Sequence, residues 1–191
     1  DKVEALVKER ALPKCSGEIY PEDVLQRFDV ASERELFPAS FQPEDTSEYI
    51  EREQKESLLG TVVEGSEPVL IHANGGVGKT VVAQQLCTSL PEGSLGILYD
   101  CFGAGDYRAR SSSRHRHNTA LIQIANEIAV TGLCEPIVPV EGRSDESIMR
   151  TFISRLKQAA NSLHQADPDS VLVVMVDAAD NAEMAANEFN Q

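Results

Sequence analysis

A glycine-rich segment in the first half of the chain has the residue types that bind a phosphate chain. Residues 73–80 read Ala-Asn-Gly-Gly-Val-Gly-Lys-Thr, a P-loop pattern with Ala73 in place of the first glycine. Glycines let backbone N–H groups converge on phosphate oxygens, Lys79 would neutralise the β and γ phosphates, and the Thr80 hydroxyl would ligate Mg²⁺. The predicted nucleotide-binding residues are Asn74, Gly75, Gly76, Val77, Gly78, Lys79, Thr80 and Val81.

Two acidic residues later in the chain are candidates to complete such a site. Asp177 ends the apolar run over residues 171–176, and Asp180 follows three positions later. A P-loop site needs a carboxylate at the end of a second strand to hold its magnesium through water. We therefore assign Thr80 and Asp177 to Mg²⁺, and Lys79, Asp177 and Asp180 to catalysis, with Asp180 orienting the attacking water. The alternative for Asp180, an acidic turn without a chemical role, stays open.

Apolar periodicity predicts the elements that position these residues. The predicted strands are residues 69–72, Leu95–Asp100 and residues 171–176, and the predicted helices are residues 79–90, residues 118–130 and a third helix capped by Ser144 that runs towards Pro168. Because these strands are apolar on both faces and alternate with helices, they indicate an α/β fold with a parallel sheet covered on both sides. The P-loop would then lie between a strand and a helix, which disfavours a chance glycine turn.

The first 45 residues are predicted to form short helices, without the strands that alternate with helices later in the sequence. Apolar residues at helical spacing predict a helix that ends before Pro13 and another over Pro21–Phe28, and Ser32 and Glu35 have the spacing of a capping box. Thr46 or Ser47 would cap a helix through residues 48–59. We interpret residues 1–45 as a helical linker at the end of an upstream region, and residues 46–191 as the start of a larger domain that contains the P-loop pattern.

Composition narrows the classes of protein further. The 191 residues include 17 Lys+Arg and 31 Asp+Glu, a formal net charge of −14, which argues against a general nucleic-acid binder. The basic loop from Arg108 to Arg116 is interpreted as a solvated loop, and the alternatives are a contact with phosphate or a polynucleotide, or an arginine directed at the nucleotide of a neighbouring subunit. The spacing of Cys15, Cys87, Cys101 and Cys134 is typical of reduced, buried thiols rather than of a zinc site or disulfides.

With neither a membrane-spanning run nor a signal-peptide core, the sequence predicts a cytoplasmic location.

Several segments together resemble the STAND class of signalling P-loop NTPases, and within it the bacterial antiviral, NACHT-like branch. The resemblance covers roughly residues 45–191. It is carried by the P-loop with the preceding residues 49–53, by Tyr-Asp-Cys-Phe over residues 99–102, and by Asp-Ala-Ala-Asp-Asn over residues 177–181. In the class, residues 49–53 would pack near the base, with a glycine where this chain has Glu51. The class often has Asp-Glu where this chain has Asp180-Asn181, so the resemblance implies nucleotide binding more directly than hydrolysis.

The resemblance implies a P-loop NTPase three-layer sandwich that uses ATP and Mg²⁺ as a switch. Binding and slow hydrolysis of ATP would control assembly into a homo-oligomer and activation of an N-terminal effector, after a C-terminal repeat region detects a phage protein. Neither a membrane nor a nucleic-acid partner is indicated. The resemblance also implies that residues 46–191 are the N-terminal portion of the NTPase domain, truncated after Asp177. Because the sensor residues and the lid of that class would lie beyond residue 191, we expect this segment alone to be poorly stable and inactive.

Two other functions remain open from the sequence. The first is a constitutive P-loop ATPase or kinase of metabolic or nucleic-acid-linked function, which would turn over without a trigger. The second is a nucleotide-free interaction scaffold, which the departures at Ala73 and Asn181 keep open.

Overall fold

The protein combines α-helices with a parallel pair of β-strands. The computed structural model describes residues 2–13, 15, 17–39, 53–109, 114–138 and 142–189. The helices are α1 (Lys2–Arg10), α2 (Pro21–Phe28), α3 (Gln54–Glu64), α4 (Lys79–Thr88), α5 (His117–Val130), α6 (Asp145–Ala166) and α7 (Ala179–Phe189), and the strands are β1 (Leu95–Asp100) and β2 (Leu172–Asp177). Short 3₁₀ helices span Glu33–Leu36 and Gly103–Arg108.

The two strands pair in parallel along their whole length. Leu95 lies opposite Leu172 at one end of the ladder, and Asp100 lies opposite Asp177 at the other. The prediction of β1 is confirmed, and that of β2 is confirmed with a shift of one residue. The described residues therefore have a mixed α/β fold with a two-stranded parallel sheet, and the carboxyl ends of both strands meet at one edge.

Helices cover both faces of this sheet. Ile97 packs with Ile128 of α5 and Ala159 of α6 in one buried cluster. Successive strand residues point to opposite faces, so Gly96 faces the other way, towards α4. A Cβ atom built on Gly96 would lie 2.9 Å from the Cα of Cys87, which shows how closely α4 approaches β1. The P-loop helix therefore lies on one face, and α5 and α6 lie on the other.

The predicted helices after the P-loop are confirmed, with small shifts at their ends. Helix α4 ends at Thr88 rather than at residue 90, and α5 begins at His117 rather than at residue 118. At the start of α6 the backbone N–H of Ser147 donates to the Ser144 hydroxyl at 3.3 Å, which confirms the predicted cap. Helix α7 was not predicted.

The prediction of a strand over residues 69–72 is wrong. These residues belong to neither strand nor helix, and the Leu70 side chain is 91% exposed. A strand needs a neighbour that completes its hydrogen bonds. In the described part of the chain the sheet consists of β1 and β2 alone, and residues 69–72 form no ladder with the outer edge of either strand. The prediction that this apolar run is too short for a helix is confirmed, whereas the prediction that it is buried is wrong.

The N-terminal helices are confirmed, whereas the predicted capping box of Ser32 and Glu35 is wrong, because neither of its two hydrogen bonds forms. The Glu35 carboxylate accepts a hydrogen bond from the Ala31 backbone N–H at 3.1 Å, but the Ser32 side chain forms no capping hydrogen bond. Helix α3 begins at Gln54, and the predicted caps Thr46 and Ser47 lie outside the described residues.

Part of the segment interpreted as a linker is packed into the core. Ala39 is buried in the same cluster as Ile97, and its N–H donates to the side-chain oxygen of Gln123 on α5 at 2.9 Å. Arg34 forms an ion pair of 3.2 Å with Glu127, also on α5. Residues 34–39 therefore contact the face of α5 next to the sheet.

Candidate functional site

The glycine-rich segment turns directly into the first residue of α4. Gly76 and Gly78 have φ angles of 75° and 88°, in the left-handed region that favours glycine. Gly78 is the residue before α4, so the helix begins at Lys79. The first turn of an α-helix leaves backbone N–H groups without acceptors inside the helix. The segment therefore presents such groups, together with the positive end of the helix dipole, to one place.

The ammonium group of Lys79 lies against the loop that precedes it. Its Nζ donates to the carbonyl oxygens of Ala73 at 2.9 Å and Asn74 at 3.2 Å. These bonds hold a positive charge beside the loop glycines. Lys79 is therefore placed where its charge and the N–H groups of the loop act on the same anion.

Thr80 and Asp177 lie in direct contact although 97 residues separate them. The Thr80 hydroxyl donates to a carboxylate oxygen of Asp177 at 2.5 Å. The contact follows from the sheet, because Asp177 ends β2 on the face covered by α4, and α4 presents Thr80 in its first turn. The structure thus brings together the two residues that the sequence assigned to magnesium.

A cleft of about 850 Å³ opens between the P-loop and the carboxyl ends of the strands. Its walls include Gly75, Gly76, Gly78, Lys79, Thr80, Val81, Gln84, Asp100, Phe102, Gly103, Ala104, Asp106, Arg114, Asp177, Ala178, Asp180 and Asn181. Of the predicted nucleotide-binding residues, Asn74 and Val77 are not part of these walls. The remaining six line the cleft, as do the predicted catalytic residues Asp177 and Asp180.

The turn from β2 into α7 places Asp180 in the cleft. Ala178 has a φ angle of 55°, in the left-handed region that is unfavourable for alanine, and α7 begins at the next residue. Asp180 is therefore in the first turn of α7, where a carboxylate interacts favourably with the helix dipole. The sequence identified Asp180 but not this turn, because nothing in an Ala-Ala pair indicates a left-handed residue.

The end of β1 forms the opposite wall of the cleft. The Asp100 side chain accepts hydrogen bonds from the backbone N–H groups of Phe102 at 2.7 Å and Gly103 at 2.8 Å, and Asp100 is only 6% exposed. Its carboxylate therefore stabilises the turn after the strand. Sequence reasoning missed this residue as part of the site, although it follows an apolar strand in the same way as Asp177.

Arg114 is a buried arginine in that same wall. It is 8% exposed, and its Nη1 donates to the backbone oxygen of Asp100 at 2.8 Å. The Tyr99 hydroxyl donates to the Arg114 carbonyl at 2.7 Å. The interpretation of the basic loop as solvated is therefore wrong for Arg114, although Arg108 and Arg116 are exposed. Charge pattern alone could not distinguish them, since Arg114 is held by contacts with β1.

None of the four cysteines forms a disulfide, and three of them are at least partly buried. Cys101 and Cys134 are buried and Cys87 is partly buried, whereas Cys15 is exposed, contrary to prediction. Burial raises the pKa of Cys101 to about 11, and the neighbouring Asp100 carboxylate acts in the same direction while Arg114 opposes it. Burial also raises the pKa of Cys87. These thiols are therefore protonated at neutral pH and are poor nucleophiles.

Neither a protein-family model nor a curated protein matches the chain. Among the helices of the described residues, none has the length and apolar character needed to cross a membrane. The same residues contain no cluster of three or more His, Cys, Asp or Glu side chains suited to a metal ion.

Proposed function

We propose that this protein binds ATP with Mg²⁺ in the cleft beside α4, as a P-loop NTPase. The observation that supports this most directly is the 2.5 Å contact between the Thr80 hydroxyl and the Asp177 carboxylate. A P-loop sequence pattern specifies a lysine and a threonine at fixed spacing. It does not by itself bring a carboxylate at the end of a strand 97 residues later into contact with that threonine. The P-loop three-layer sandwich is part of the same proposal.

The residues of the cleft fit the chemistry of a metal-bound triphosphate. The P-loop N–H groups and Lys79 suit phosphate oxygens, and Thr80 and Asp177 offer the hard oxygen atoms that Mg²⁺ prefers. Magnesium needs few protein ligands, because phosphate oxygens and water complete its coordination. The absence of a larger ligand cluster among the described residues therefore does not conflict with the proposal.

The charge of the cleft makes a metal ion necessary. Four carboxylates line it, those of Asp100, Asp106, Asp177 and Asp180, against two cationic side chains, those of Lys79 and Arg114. A triphosphate would add several negative charges to this acidic excess. We therefore expect ATP to bind tightly only when magnesium accompanies it, since the metal offsets the repulsion between phosphate and carboxylates.

Slow hydrolysis is the reaction that this cleft would support. In that reaction water attacks the γ phosphorus, the bond to the β–γ bridging oxygen breaks, and ADP and phosphate leave. Asp180 lines the cleft and would orient the water, while the neighbouring Asn181 cannot accept a proton as a carboxylate would. Slow turnover suits a switch, whose conformations need only bind ATP and ADP with different affinities.

Within this proposal the protein is a STAND-type antiviral switch that assembles into a homo-oligomer. This part depends on the resemblance of residues 45–191, including the Tyr-Asp-Cys-Phe segment that forms the wall around Asp100. Measuring ATP turnover with and without phage proteins tests it. Turnover that begins only after a phage protein is added supports the switch, and steady turnover without any trigger supports a constitutive ATPase or kinase instead.

Titration calorimetry of the whole protein with Mg·ATP tests nucleotide binding. Lys79→Ala should weaken binding about tenfold or more, because it removes charge-assisted hydrogen bonds to phosphate. Lys157→Ala is the matched control, since Lys157 is an exposed lysine of α6 that does not line the cleft. Chelation of magnesium with EDTA should also weaken binding.

Equal affinity of the wild-type protein and Lys79→Ala would contradict the proposed site. Failure of the wild-type protein to bind ATP at all would favour the interaction scaffold.

A further inference from the structure

Gln84 of α4 carries an amide oxygen without a hydrogen-bond donor at the wall of the cleft. Gln84 lines the cleft, and its Oε1 atom is buried and accepts no hydrogen bond from the residues that the structure describes. Buried polar atoms of folded proteins are nearly always paired with protein groups or with ordered water. An unpaired amide beside an open cleft therefore points to a partner that enters with a ligand.

The place of this amide follows from the face of α4 on which Gln84 lies. Residues four apart on a helix are neighbours, so Gln84 follows Thr80 on the same face. Three residues further on, the Cys87 thiol contacts the sulfur of Met175 on β2 at 3.8 Å, which shows that this face covers the sheet. Thr80 contacts Asp177 at the end of the same strand. Gln84 therefore lies between these two contacts, one helical turn from the pair proposed for magnesium.

Helical geometry directs the Gln84 side chain towards that pair. Side chains on an α-helix lean back towards its N-terminus and cover the preceding turn. The turn that precedes Gln84 contains Thr80, so the side chain extends towards the cleft. Rotation of the amide by half a turn exchanges its oxygen and nitrogen. Because Oε1 has no bond to lose among the described residues, this rotation can turn the oxygen to the cleft.

We infer that Gln84 positions the magnesium ion by accepting a hydrogen bond from one of the water molecules bound to the ion. The inference rests on the proposed function, in which Thr80 and Asp177 hold that ion. Magnesium keeps several waters when a protein binds it, and groups that hydrogen-bond around a metal site orient it and strengthen binding. A neutral amide suits this place, because it accepts the bond without adding charge to the four carboxylates of the cleft.

A structural role and a direct contact with phosphate are the competing explanations. A structural amide would stabilise the protein without any ligand, so its loss would lower stability. An amide that donates to phosphate could not be replaced by a carboxylate, because like charges would repel. An amide that accepts from metal-bound water is well replaced by a carboxylate and contributes nothing to the stability of the metal-free protein.

Gln84→Met and Gln85→Met form a matched pair for the test. Gln85 is the next residue of α4, is 5% exposed and lies outside the cleft walls. Both of its amide atoms are also unpaired in the described part of the chain. Methionine is unbranched and is at most a weak acceptor. Each variant therefore removes an unpaired amide, but only Gln84→Met removes one from the cleft.

The test titrates Mn²⁺, which takes the same oxygen ligands as Mg²⁺, into the whole protein held in excess over ATP. The EPR signal of the free ion measures the dissociation constant. Gln84→Met should weaken Mn²⁺ binding about tenfold, and Gln85→Met should change it by less than about twofold. Gln84→Glu keeps an acceptor for the water, so it should bind Mn²⁺ at least as tightly as the wild-type protein. In urea, neither methionine variant should unfold at a lower midpoint, because the amide that it removes has no partner.

Unchanged Mn²⁺ affinity in Gln84→Met would overturn the inference, as would weaker Mn²⁺ binding in Gln84→Glu. A lower urea midpoint in Gln84→Met, or failure of that variant to fold, would indicate the structural role instead. If the wild-type protein does not bind ATP, the proposed function fails as well. Wild-type binding that depends on Lys79 while Mn²⁺ affinity does not depend on Gln84 leaves the proposed function intact and removes this inference alone.

Discussion

Gly103 is the residue that leaves room for the Arg114 side chain. A Cβ atom built on Gly103 would lie 2.2 Å from Nε and 2.7 Å from Cδ of Arg114. Its φ angle of 55° is also in the left-handed region. Because the backbone of the turn is held by the Asp100 carboxylate, any side chain at this position must displace the guanidinium.

Gly103→Ala should lower the free energy of unfolding by about 1–3 kcal/mol, because it adds backbone strain and a steric clash. Urea denaturation of the variant and the wild-type protein measures this loss. Gly105→Ala is the control, since Gly105 has a φ angle of 98° but no atom within 4 Å of the added Cβ. Both variants carry strain, but only Gly103→Ala adds a clash with Arg114, so it should lose more free energy of unfolding than Gly105→Ala. An unchanged free energy of unfolding in Gly103→Ala would contradict the steric argument.

The sequence could identify the local part of the site, but not the part made by tertiary contacts. Lys79 and Thr80 belong to a pattern of fixed spacing, and Asp177 follows a recognisable apolar strand. Arg114 depends on Tyr99 and Asp100, which lie 15 and 14 positions earlier in a different element. Nothing in the sequence Arg-Ala-Arg-Ser-Ser-Ser-Arg-His-Arg over residues 108–116 shows which arginine is buried.

Contact between α4 and β1 determines where the P-loop lies relative to the sheet. The added Cβ on Gly96 would approach Cys87 Cα at 2.9 Å and the side chain of Leu90 at 3.0 Å. A larger residue would push the helix away from the strand. Because α4 carries both Lys79 and Thr80, such a shift would also separate Thr80 from Asp177.

Gly96→Val should destabilise the protein by about 1–3 kcal/mol through overpacking, and it should weaken Mg·ATP binding as well. Chemical denaturation and calorimetry measure the two effects. Gly60→Ala in α3 is the matched control, because no atom lies within 4 Å of its added Cβ and alanine favours a helix by about 1 kcal/mol over glycine. Normal stability and normal ATP affinity in Gly96→Val would show that α4 does not depend on this close approach.

At the level of elements, apolar periodicity predicted most helices and both observed strands. Ile122, Ala125 and Ile128 share a buried face of α5, so a 3.6-residue pattern was sufficient there. The prediction of a strand over residues 69–72 failed because an apolar run indicates burial, whereas a strand also needs a neighbouring strand as a hydrogen-bond partner. Pairing between strands is not encoded in the composition of one of them.

Across the whole molecule, the four thiols differ in their surroundings. Cys15 is exposed, whereas Cys101 and Cys134 are buried. We expect Cys15 to react first with a thiol reagent at neutral pH, and the buried pair to react only after unfolding. Mass spectrometry after brief labelling measures the order, with urea-unfolded protein as the reference. Rapid labelling of Cys101 in the native protein would contradict its burial.

The same burial makes stability depend on alkaline pH. Because the pKa of Cys101 rises from 9.0 to about 11 on folding, the unfolded chain loses this proton first as the pH rises. The contribution of Cys101 is therefore complete below pH 9 and is lost between about pH 9 and 11. Burial also raises the pKa of Tyr99, which adds a loss in the same direction. The melting temperature should fall between pH 8 and 10 by less in Cys101→Ala than in the wild-type protein, and an equal fall would count against this explanation.

The long separation between Thr80 and Asp177 has a consequence for the order in which the protein is made. A ribosome adds about 5–20 residues per second, so the P-loop threonine precedes its carboxylate partner by roughly 5 to 20 s. During that interval the nascent chain has the glycine loop and Lys79 but not the pair proposed for the metal, because β2 does not yet exist. Under the proposed function, tight binding of Mg·ATP would therefore begin only once β2 has joined β1. The nucleotide would then stabilise the protein only after the sheet has formed, and it would not assist the first steps of folding.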